Sequence, residues 1–368
     1  MKNILIGNGI TIQFGGSDYL NSNILQRVVN NIKEETFPKE IYPMELEQWI
    51  KYLFSQLNNI LDGVYDLYVV TENENMALSD FKQRYKNRNW YTTFHSLGFE
   101  DYFFIHNLVC IKNGVVNPEK YNTREALRVS LLDSIYNSGK INMIHKNYPL
   151  GLRGYFQEYN NIFTTNYDNN IEVFSDREVL YLHGAFHILD DVYNPDSLRN
   201  QLSDRPLNSA IIVSGYDHLY SNALTTYSGE TKDFIINMRK SANVAISKFV
   251  DGVQTKPELM SEIEEWKESD NQIVRNMYES IMVKLENPEM SFSEYDALQK
   301  FSDIEGSITI LGLSPNNDNH IFREILNNQK IDEIIYYFYD ESEGKRVRNL
   351  FGNKKITRKD VKKFWKQF

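Results

Sequence analysis

The sequence predicts an α/β fold in which helices cover both faces of a central parallel sheet. Its strand-like runs are short, continuous and apolar, whereas strands with one solvated face alternate apolar and polar residues. Segments with helical spacing separate these runs, as they do in folds whose parallel strands are joined by helices. The chain has 368 residues, of which 41% are hydrophobic and 24% charged, so it can bury a normal core.

The first part of the chain predicts one strand followed by a long helical segment. The strand, 3–6, ends at the turn signal "GNG". From 18 to about 150 the pattern is mostly helical, and within 43–61 the apolar residues recur on one helix face. Thr123 has the position of an N-cap for a further helix. The apolar residues of that helix recur at helical spacing: Leu127, Leu131 and Ile135.

The second part of the chain predicts more strands around a second helical segment. The segment, about 228–302, is polar and acidic with helical spacing. A helix opened by Asn317 or Asp318 separates the last two strands. We therefore expect a single domain over 1–368, with helical insertions at about 18–150 and 228–302. The predicted strands of this part are 161–165, 179–182, 210–213, "SITILG" and "DEIIYYFY".

The net charge of −10 is unevenly distributed. Segment 345–368 has ten Lys or Arg and one acid, so it carries +9 and the rest of the chain carries −19. Such a basic tail can contact nucleic acid or an acidic partner. The alternative is an amphipathic helix that is solvated or docked on the chain's own acidic surface. The sequence leaves both interpretations open.

Cysteine content and hydropathy exclude several classes of protein. Cys110 is the only cysteine, so the chain cannot form an internal disulfide or a four-cysteine zinc site. Neither a signal peptide nor an apolar segment long enough to span a membrane is recognisable. We expect a cytoplasmic protein that makes no membrane contact.

Several predicted strands end in Gly, Asn or His, which suggests one pocket. Ligands of open parallel α/β sheets lie outside the carboxyl ends of the strands. Small residues there let a phosphate approach the backbone, and a following helix offers its N-terminal amides to an anion. The residues concerned are Gly7-Asn8-Gly9, Asn166, His183, Gly312 and Ser314.

Each of these features also has a purely structural explanation. The run Asn-Tyr-Asp-Asn-Asn at 166–170 is good turn chemistry. The "GNGITI" turn has Ile12 where the dinucleotide fingerprint needs a third Gly, and the chain has no GxxxxGK[ST] loop. His183 and His187 have the spacing of a metal pair, but Gly184 disfavours a helix and no acidic ligand is suitably spaced nearby. We expect no metal.

The order of the motifs resembles that of the sirtuin fold. "GNGIT" (7–11) is similar to the sirtuin Gly-Ala-Gly-x-Ser turn, and "TTNYD" (164–168) to Thr-Gln-Asn-x-Asp. "HG" (183–184) matches the His-Gly that carries the catalytic base, and "GLS" (312–314) resembles Gly-Thr-Ser. The amino-acid sequences of these motifs are more similar still to those of bacterial sirtuin-like proteins of anti-phage defence that lack the zinc ribbon. The resemblance covers scattered motifs over 4–340 and implies a Rossmann-like, sirtuin-like fold.

The resemblance implies an NAD glycohydrolase, for which NAD is the substrate and His183 the general base. Asn166 would position the ribose and the attacking water, and Asp168 would hold the nicotinamide carboxamide or orient Asn166. Ser314 would bind the adenine-side ribose, and Asp318 would do the same or cap the following helix. Further NAD contacts are expected from Gly7, Asn8, Gly9, Thr11, Thr165, Gly184 and Gly312.

Two departures from the sirtuin pattern disfavour a protein deacylase. The four cysteines of the zinc ribbon are missing, and "QFGGSDY" stands where sirtuins have Gly-Ile-Pro-Asp-Phe-Arg. The alternatives are a non-catalytic module that senses NAD or ADP-ribose and, less favoured, the deacylase. Depletion of NAD in abortive infection would require control by homo-oligomerisation or by a defence partner such as an ATPase.

Overall fold

The computed structural model describes residues 1–116, 118–189, 192–193, 213–315 and 318–368. The predicted strand at 210–213 lies outside the described residues except for Val213, which belongs to no strand. Asn317, one of the two residues predicted to open a helix, also lies outside them.

In the described part of the chain, eight strands form two parallel sheets. The smaller sheet pairs two strands of two residues each, β4 and β5, and the larger contains the other six strands. The strands are β1 Lys2–Ile6, β2 Asn161–Thr164, β3 Leu180–Tyr181, β4 Val192–Tyr193, β5 Ser291–Phe292, β6 Gly306–Leu311, β7 Ile331–Phe338 and β8 Ile356–Asp360.

The α-helices surround the larger sheet and form both insertions. They are α1 Gly9–Gly15, α2 Asn21–Lys33, α3 Leu46–Ser55, α4 Leu57–Leu61, α5 Glu72–Arg84, α6 Asp101–Asn113, α7 Glu119–Tyr136, α8 Gly151–Gln157, α9 Asn170–Ser175, α10 Gly229–Thr255, α11 Leu259–Glu265, α12 Gln272–Glu286, α13 Asp296–Ser302, α14 Asn319–Asn327, α15 Glu341–Leu350 and α16 Val361–Trp365.

The larger sheet has the strand order β3-β2-β1-β6-β7-β8, and every neighbouring pair is parallel. The chain runs outward from β1 through β2 to β3, then crosses to the other side of β1 and runs outward through β6 to β8. Its direction reverses between β1 and β6, which is the position where open α/β sheets bind ligands. The predicted Rossmann-like α/β fold with helical insertions is confirmed.

The burial of β1 explains why the strands lack an alternating pattern. Ile4 and Ile6 pack into one core cluster, together with apolar residues of the first insertion. Leu5 points to the opposite face and packs into a second cluster, with helices α13 and α14. All three side chains are fully buried, because helices cover both faces of the sheet.

The helical insertions are present, although one detail of the first was wrong. The helical segment predicted within 43–61 is confirmed as α3 and α4, which are separated at Gln56. Thr123 is not an N-cap, because α7 begins at Glu119 and the Thr123 hydroxyl donates to the carbonyl of Glu119 at 3.0 Å. Pro118 occupies the N-cap position of α7, where no intrahelical hydrogen bond requires its missing amide hydrogen.

The basic tail is not a single amphipathic helix, so that interpretation is wrong. It contains the end of α15, the strand β8 and the short helix α16. β8 is an edge strand of the sheet, where charged side chains discourage pairing with another chain. Lys359 lies over the ring of Tyr337 at 5.7 Å, and Phe364 of α16 is buried in the core. Contact of the tail with nucleic acid stays a prediction.

None of the helices in the described part of the chain combines the length and the apolar character needed to cross a membrane.

Candidate functional site

A cavity of about 880 Å³ lies at the carboxyl ends of the larger sheet. Each of its six strands is followed directly in the chain by a segment that contributes a lining residue. Five strand spacings of about 4.8 Å give a length of roughly 24 Å, so an elongated ligand fits. The lining residues include Asn8 after β1, Thr165 after β2, His183 after β3, Gly312 after β6, Tyr339 after β7 and Val361 after β8.

Most of the predicted site residues meet in this cavity. Gly7, Thr11 and Gly184 do not line it, and each lies next to a residue or turn that does. The predicted residues that line it are Asn8, Gly9, Thr165, Asn166, Asp168, His183, Gly312, Ser314 and Asp318.

The glycines at the ends of β1 and β6 are required by close packing. The amide of Gly9 donates to the carbonyl of Gly312 at 2.8 Å, and the amide of Gly7 donates to the carbonyl of Leu311 at 2.9 Å. A Cβ on Gly9 would lie 2.5 Å from Cα of Gly312. The amide of Ile10 donates to the carbonyl of Gly7. The amides of Gly7, Gly9 and Ile10 therefore already donate to backbone carbonyls. Fewer amides of this turn are left to bind a phosphate than the sequence predicts.

Gly184 is also explained by packing. Its φ is +74°, and a Cβ would lie 2.1 Å from the carbonyl oxygen of Asn222. The side chain of Asn222 accepts a hydrogen bond from the amide of Ala185 at 2.8 Å. Gly184 thus fixes the loop that carries His183.

Thr11 holds the two polar residues that follow β2. Its hydroxyl accepts a hydrogen bond from Nδ2 of Asn166 at 3.1 Å and lies 3.4 Å from Oδ2 of Asp168, to which it donates. The other oxygen of Asp168 accepts from the amide of Asn170 at 3.1 Å and from its side chain at 2.5 Å. Thr11 is buried, so it positions Asn166 and Asp168 from behind the cavity wall.

Burial governs the ionisation of Asp168. It raises the pKa of this carboxyl above its usual value, while the hydrogen bonds from Asn170 and Thr11 oppose the rise. Both carboxylate oxygens accept hydrogen bonds within the protein. The same loop presents Asn166 to the cavity with only 7% of its surface exposed.

His183 is paired with a second histidine that the sequence analysis did not identify. Its Nε2 lies 3.0 Å from Nε2 of His320, so one imidazole donates and the other accepts. Burial, with Lys232 and the partner histidine nearby, lowers the pKa of His183 well below 6.5. Burial and Lys232 also lower the pKa of His320. Both rings are therefore neutral at neutral pH.

The sequence predicts that Asp318 either binds the adenine-side ribose or caps the helix that follows. It occupies the N-cap position of α14, but its side chain makes no capping hydrogen bond, so the prediction of a side-chain cap was wrong. Its carboxylate borders the cavity and lies 4.0 Å from Nδ1 of His183. Burial raises the pKa of this carboxyl to about 6, against the opposing effect of Lys232.

One group of residues in the described part of the chain has the composition of a metal site. The ligand atoms of His183, Asp318 and His320 lie within 4.8 Å of one another. Nδ1 of His320 is buried and has no hydrogen-bond partner among the described residues. His187 is not part of this group, since it faces Glu172 at 3.7 Å and is 37% exposed. No acidic ligand is close to His183 in the sequence. In the fold, Asp318 supplies one from the segment between β6 and α14.

The first insertion supplies a wall of the cavity that the sequence analysis missed. Glu100 and Asp101 line the cavity beside Tyr167. Oε1 of Glu100 accepts hydrogen bonds from Nζ of Lys232 at 2.6 Å and from the hydroxyl of Tyr167 at 3.2 Å. No motif marks these residues, because α6 and α10 are far apart in the sequence and meet only in the fold.

At the end of the cavity near β7 and β8, aromatic and charged side chains form the lining. Tyr339 follows β7, and Nζ of Lys362 lies 4.0 Å from the centre of its ring. Glu343 and Trp365 complete this end. The basic tail therefore contributes directly to the cavity.

Comparisons of the chain with family models, with curated proteins and with solved structures give no match.

Proposed function

We propose that the protein is an NAD glycohydrolase that cleaves NAD to nicotinamide and ADP-ribose. The observation that supports this best is the convergence of Asn166, Asp168 and His183 on one elongated cavity at the strand ends. These residues belong to separate loops that the motif order picks out in the sequence. The far end of the cavity offers aromatic and polar side chains to an adenosine group.

The reaction breaks the bond between the nicotinamide nitrogen and C1′ of the ribose. The bonding electron pair leaves with the pyridinium nitrogen, which becomes neutral, so no acid is needed at the leaving group. An oxygen of water bonds to C1′ and gives up its proton. The transition state resembles an oxocarbenium ion, as in other glycosidic cleavages.

In this proposal His183 accepts the proton of the attacking water. A neutral imidazole is the form that a general base needs, and His183 is neutral because burial lowers its pKa. Asn166 orients the ribose and the water through its amide. Asp168 faces the carboxamide or the positive charge of the nicotinamide, while Thr11 fixes both side chains.

Product analysis tests the proposal directly. Purified protein is incubated with NAD, and nicotinamide and ADP-ribose are quantified by chromatography. The proposal expects the two products in equal amounts from the wild-type chain and their loss in His183→Ala. Failure of the wild-type chain to form either product, with its fold verified by circular dichroism, would remove the proposal.

One observation favours a second candidate, a module that binds NAD or ADP-ribose without turnover. Nε2 of His183 is occupied by His320, and only 2% of the His183 surface is exposed. Nε2 is thus engaged by the pair, and Nδ1 can accept a proton only in the tautomer in which Nε2 of His183 donates to His320. Calorimetry that detects stoichiometric NAD binding, with no product over hours, would support the sensor.

A role in anti-phage defence follows from the proposed activity together with the motif resemblance. An enzyme that depletes NAD is toxic to its own cell unless it is controlled. We therefore include control by homo-oligomerisation or by a partner protein in the proposal. Light scattering of the purified chain, with and without NAD, measures the first of these.

A further inference from the structure

At the His183 end of the cavity, Glu100 has one carboxylate oxygen that is held by hydrogen bonds and one that is unengaged. Both of its hydrogen bonds, from Lys232 and Tyr167, go to Oε1. Within the described ranges, Oε2 has no hydrogen-bond partner and is not among the atoms sealed from solvent. Its side chain is 14% exposed and borders the cavity. One oxygen of Glu100 is thus anchored while the other is available to a ligand.

Two other acidic side chains at this end, Asp101 and Asp168, have both oxygens engaged, whereas Asp318 faces His183 at 4.0 Å and makes no capping hydrogen bond. Asp101 receives two hydrogen bonds from Arg84, at 2.6 and 2.8 Å, and another from Ser228 at 2.6 Å. Asp168 accepts hydrogen bonds at both oxygens from Asn170 and Thr11, as described above. These contacts hold Asp101 and Asp168 in the wall, so Glu100 is the carboxylate that combines an anchored oxygen with an unengaged one.

The anchors of Glu100 connect it to the predicted reaction centre. Tyr167 stands between Asn166 and Asp168 in the loop after β2, and its one hydroxyl proton is shared between Oε1 of Glu100 at 3.2 Å and the carbonyl of Leu224 at 2.8 Å. Lys232 is 1% exposed and enters from α10. Glu100 is therefore held by both insertions beside the loop that would position the ribose.

We propose that Glu100 is a second catalytic residue, whose free carboxylate oxygen stabilises the positive charge that develops on the ribose as the nicotinamide leaves. This inference rests on the proposed function. A carboxylate in a largely desolvated site interacts strongly with a cation, and it favours the transition state most when its position is fixed beforehand.

A purely structural role for Glu100 makes a different prediction. If the carboxylate served only to neutralise Lys232, its loss would lower stability without a specific effect on turnover. Removal of one member of a buried ion pair is destabilising because the other charge is left unpaired. A test therefore needs a variant that removes both charges while it keeps the volume of the side chains.

The test compares wild type, Glu100→Gln, the double variant Glu100→Gln with Lys232→Met, and Glu74→Gln. Glu74 is a matched control, because it is a buried carboxylate of the same insertion that caps α5 and does not line the cavity. Turnover, KM for NAD and the melting temperature are measured for each. The structure leads us to expect that kcat falls about 10²-fold in both Glu100 variants, with KM changed much less.

The outcomes separate this inference from the proposed function. If the wild-type chain cleaves NAD and the double variant retains kcat within twofold, Glu100 is not catalytic although the proposed function stands. If the wild-type chain does not cleave NAD, both fail together. Loss of kcat in Glu74→Gln to the same extent would also overturn the inference, because the effect would then not be specific to the cavity.

Discussion

Individual side chains decide what this cavity can do. The site residues that the sequence predicts follow strands, whereas those that it does not predict lie in or next to helices. Asn166, Asp168 and His183 are predictable because each follows a strand of a parallel sheet, whose carboxyl ends lie along one edge. His320 and Glu100 are not. His320 lies within the first turn of α14, and Glu100 immediately precedes α6, so both lie in helical context with no motif.

The pKa of Glu100 leads to a prediction for the pH dependence of turnover. Burial raises this pKa from 4.5 to about 7, and Asp318 adds to the rise, whereas Lys232 opposes it. Asp101 raises it further, and Tyr167 donates to the carboxylate. The carboxylate is protonated below pH 7 and ionised above it, so a step that needs its negative charge slows as pH falls.

We therefore expect kcat of the wild-type chain to rise with pH, with a midpoint near 7. Burial lowers the pKa of His183 well below 6.5, so His183 is neutral at the midpoint. The profile is measured from pH 5.5 to 8.5 at saturating NAD, and Glu100→Gln should lack the limb near pH 7. A limb at the same pH in that variant would show that another group titrates.

At the scale of secondary-structure elements, the turns after β1 and β6 pack so closely that only glycine fits. Replacement of Gly9 by Ala would bring a Cβ to 2.5 Å from Cα of Gly312, and both atoms belong to the backbone or are rigidly attached to it. We expect Gly9→Ala to lower the free energy of unfolding by about 1–3 kcal/mol, the usual cost of overpacking. Urea denaturation measures the change.

Gly154 provides the matched control for Gly9. It lies inside α8, is exposed, and has no heavy atom within 4 Å of the position of a Cβ. Alanine is favoured over glycine inside helices, so Gly154→Ala should raise the free energy of unfolding by about 0.5–1 kcal/mol. Equal effects of the two substitutions would contradict the packing account of the β1–β6 turns.

The tail illustrates why a strand escaped prediction. In β8, Arg358, Lys359 and Asp360 occupy successive positions, because an edge strand tolerates charge on its open side. The composition therefore suggested a solvated helix. The helix that follows is short, yet Phe364 anchors it in the core through contacts with Tyr155 and Tyr337.

Truncation of the Phe364 side chain should lower the stability of the whole fold. Phe364 is 2% exposed, and Phe364→Ala should lower the free energy of unfolding by about 3–5 kcal/mol. Phe368 lies nearby but is 39% exposed, so Phe368→Ala should cost much less. Chemical denaturation distinguishes the two variants. Similar midpoints would mean that α16 does not contribute to the core as the structure indicates.

At the scale of the whole molecule, the sheet and its helical cover are predictable from pattern, while the arrangement of the insertions is not. Continuous apolar runs indicate strands buried on both faces, which β1 confirms through Ile4, Leu5 and Ile6. The contact between Lys232 of α10 and Glu100 joins residues 132 positions apart. Pairing at such separation leaves no periodic signal in a single sequence.

The architecture suggests how the proposed enzyme is regulated. Both insertions contribute side chains at the His183 end, and the tail contributes Lys362 and Trp365 at the other end. A partner or a second copy of the chain that displaces either group would change access to the cavity. The proposed control by oligomerisation or by a partner protein is compatible with this arrangement.

In the function that we propose, the cavity at the strand ends hydrolyses NAD with His183 as the base. The most direct measurement is NAD consumption by wild type, His183→Ala and His187→Ala, with nicotinamide and ADP-ribose quantified together. His187→Ala is the matched control, because His187 is outside the cavity. The account predicts that His183→Ala loses roughly 10²–10⁴-fold in turnover while the control stays near wild type. Full turnover in folded His183→Ala, or no turnover in the wild-type chain, would contradict it.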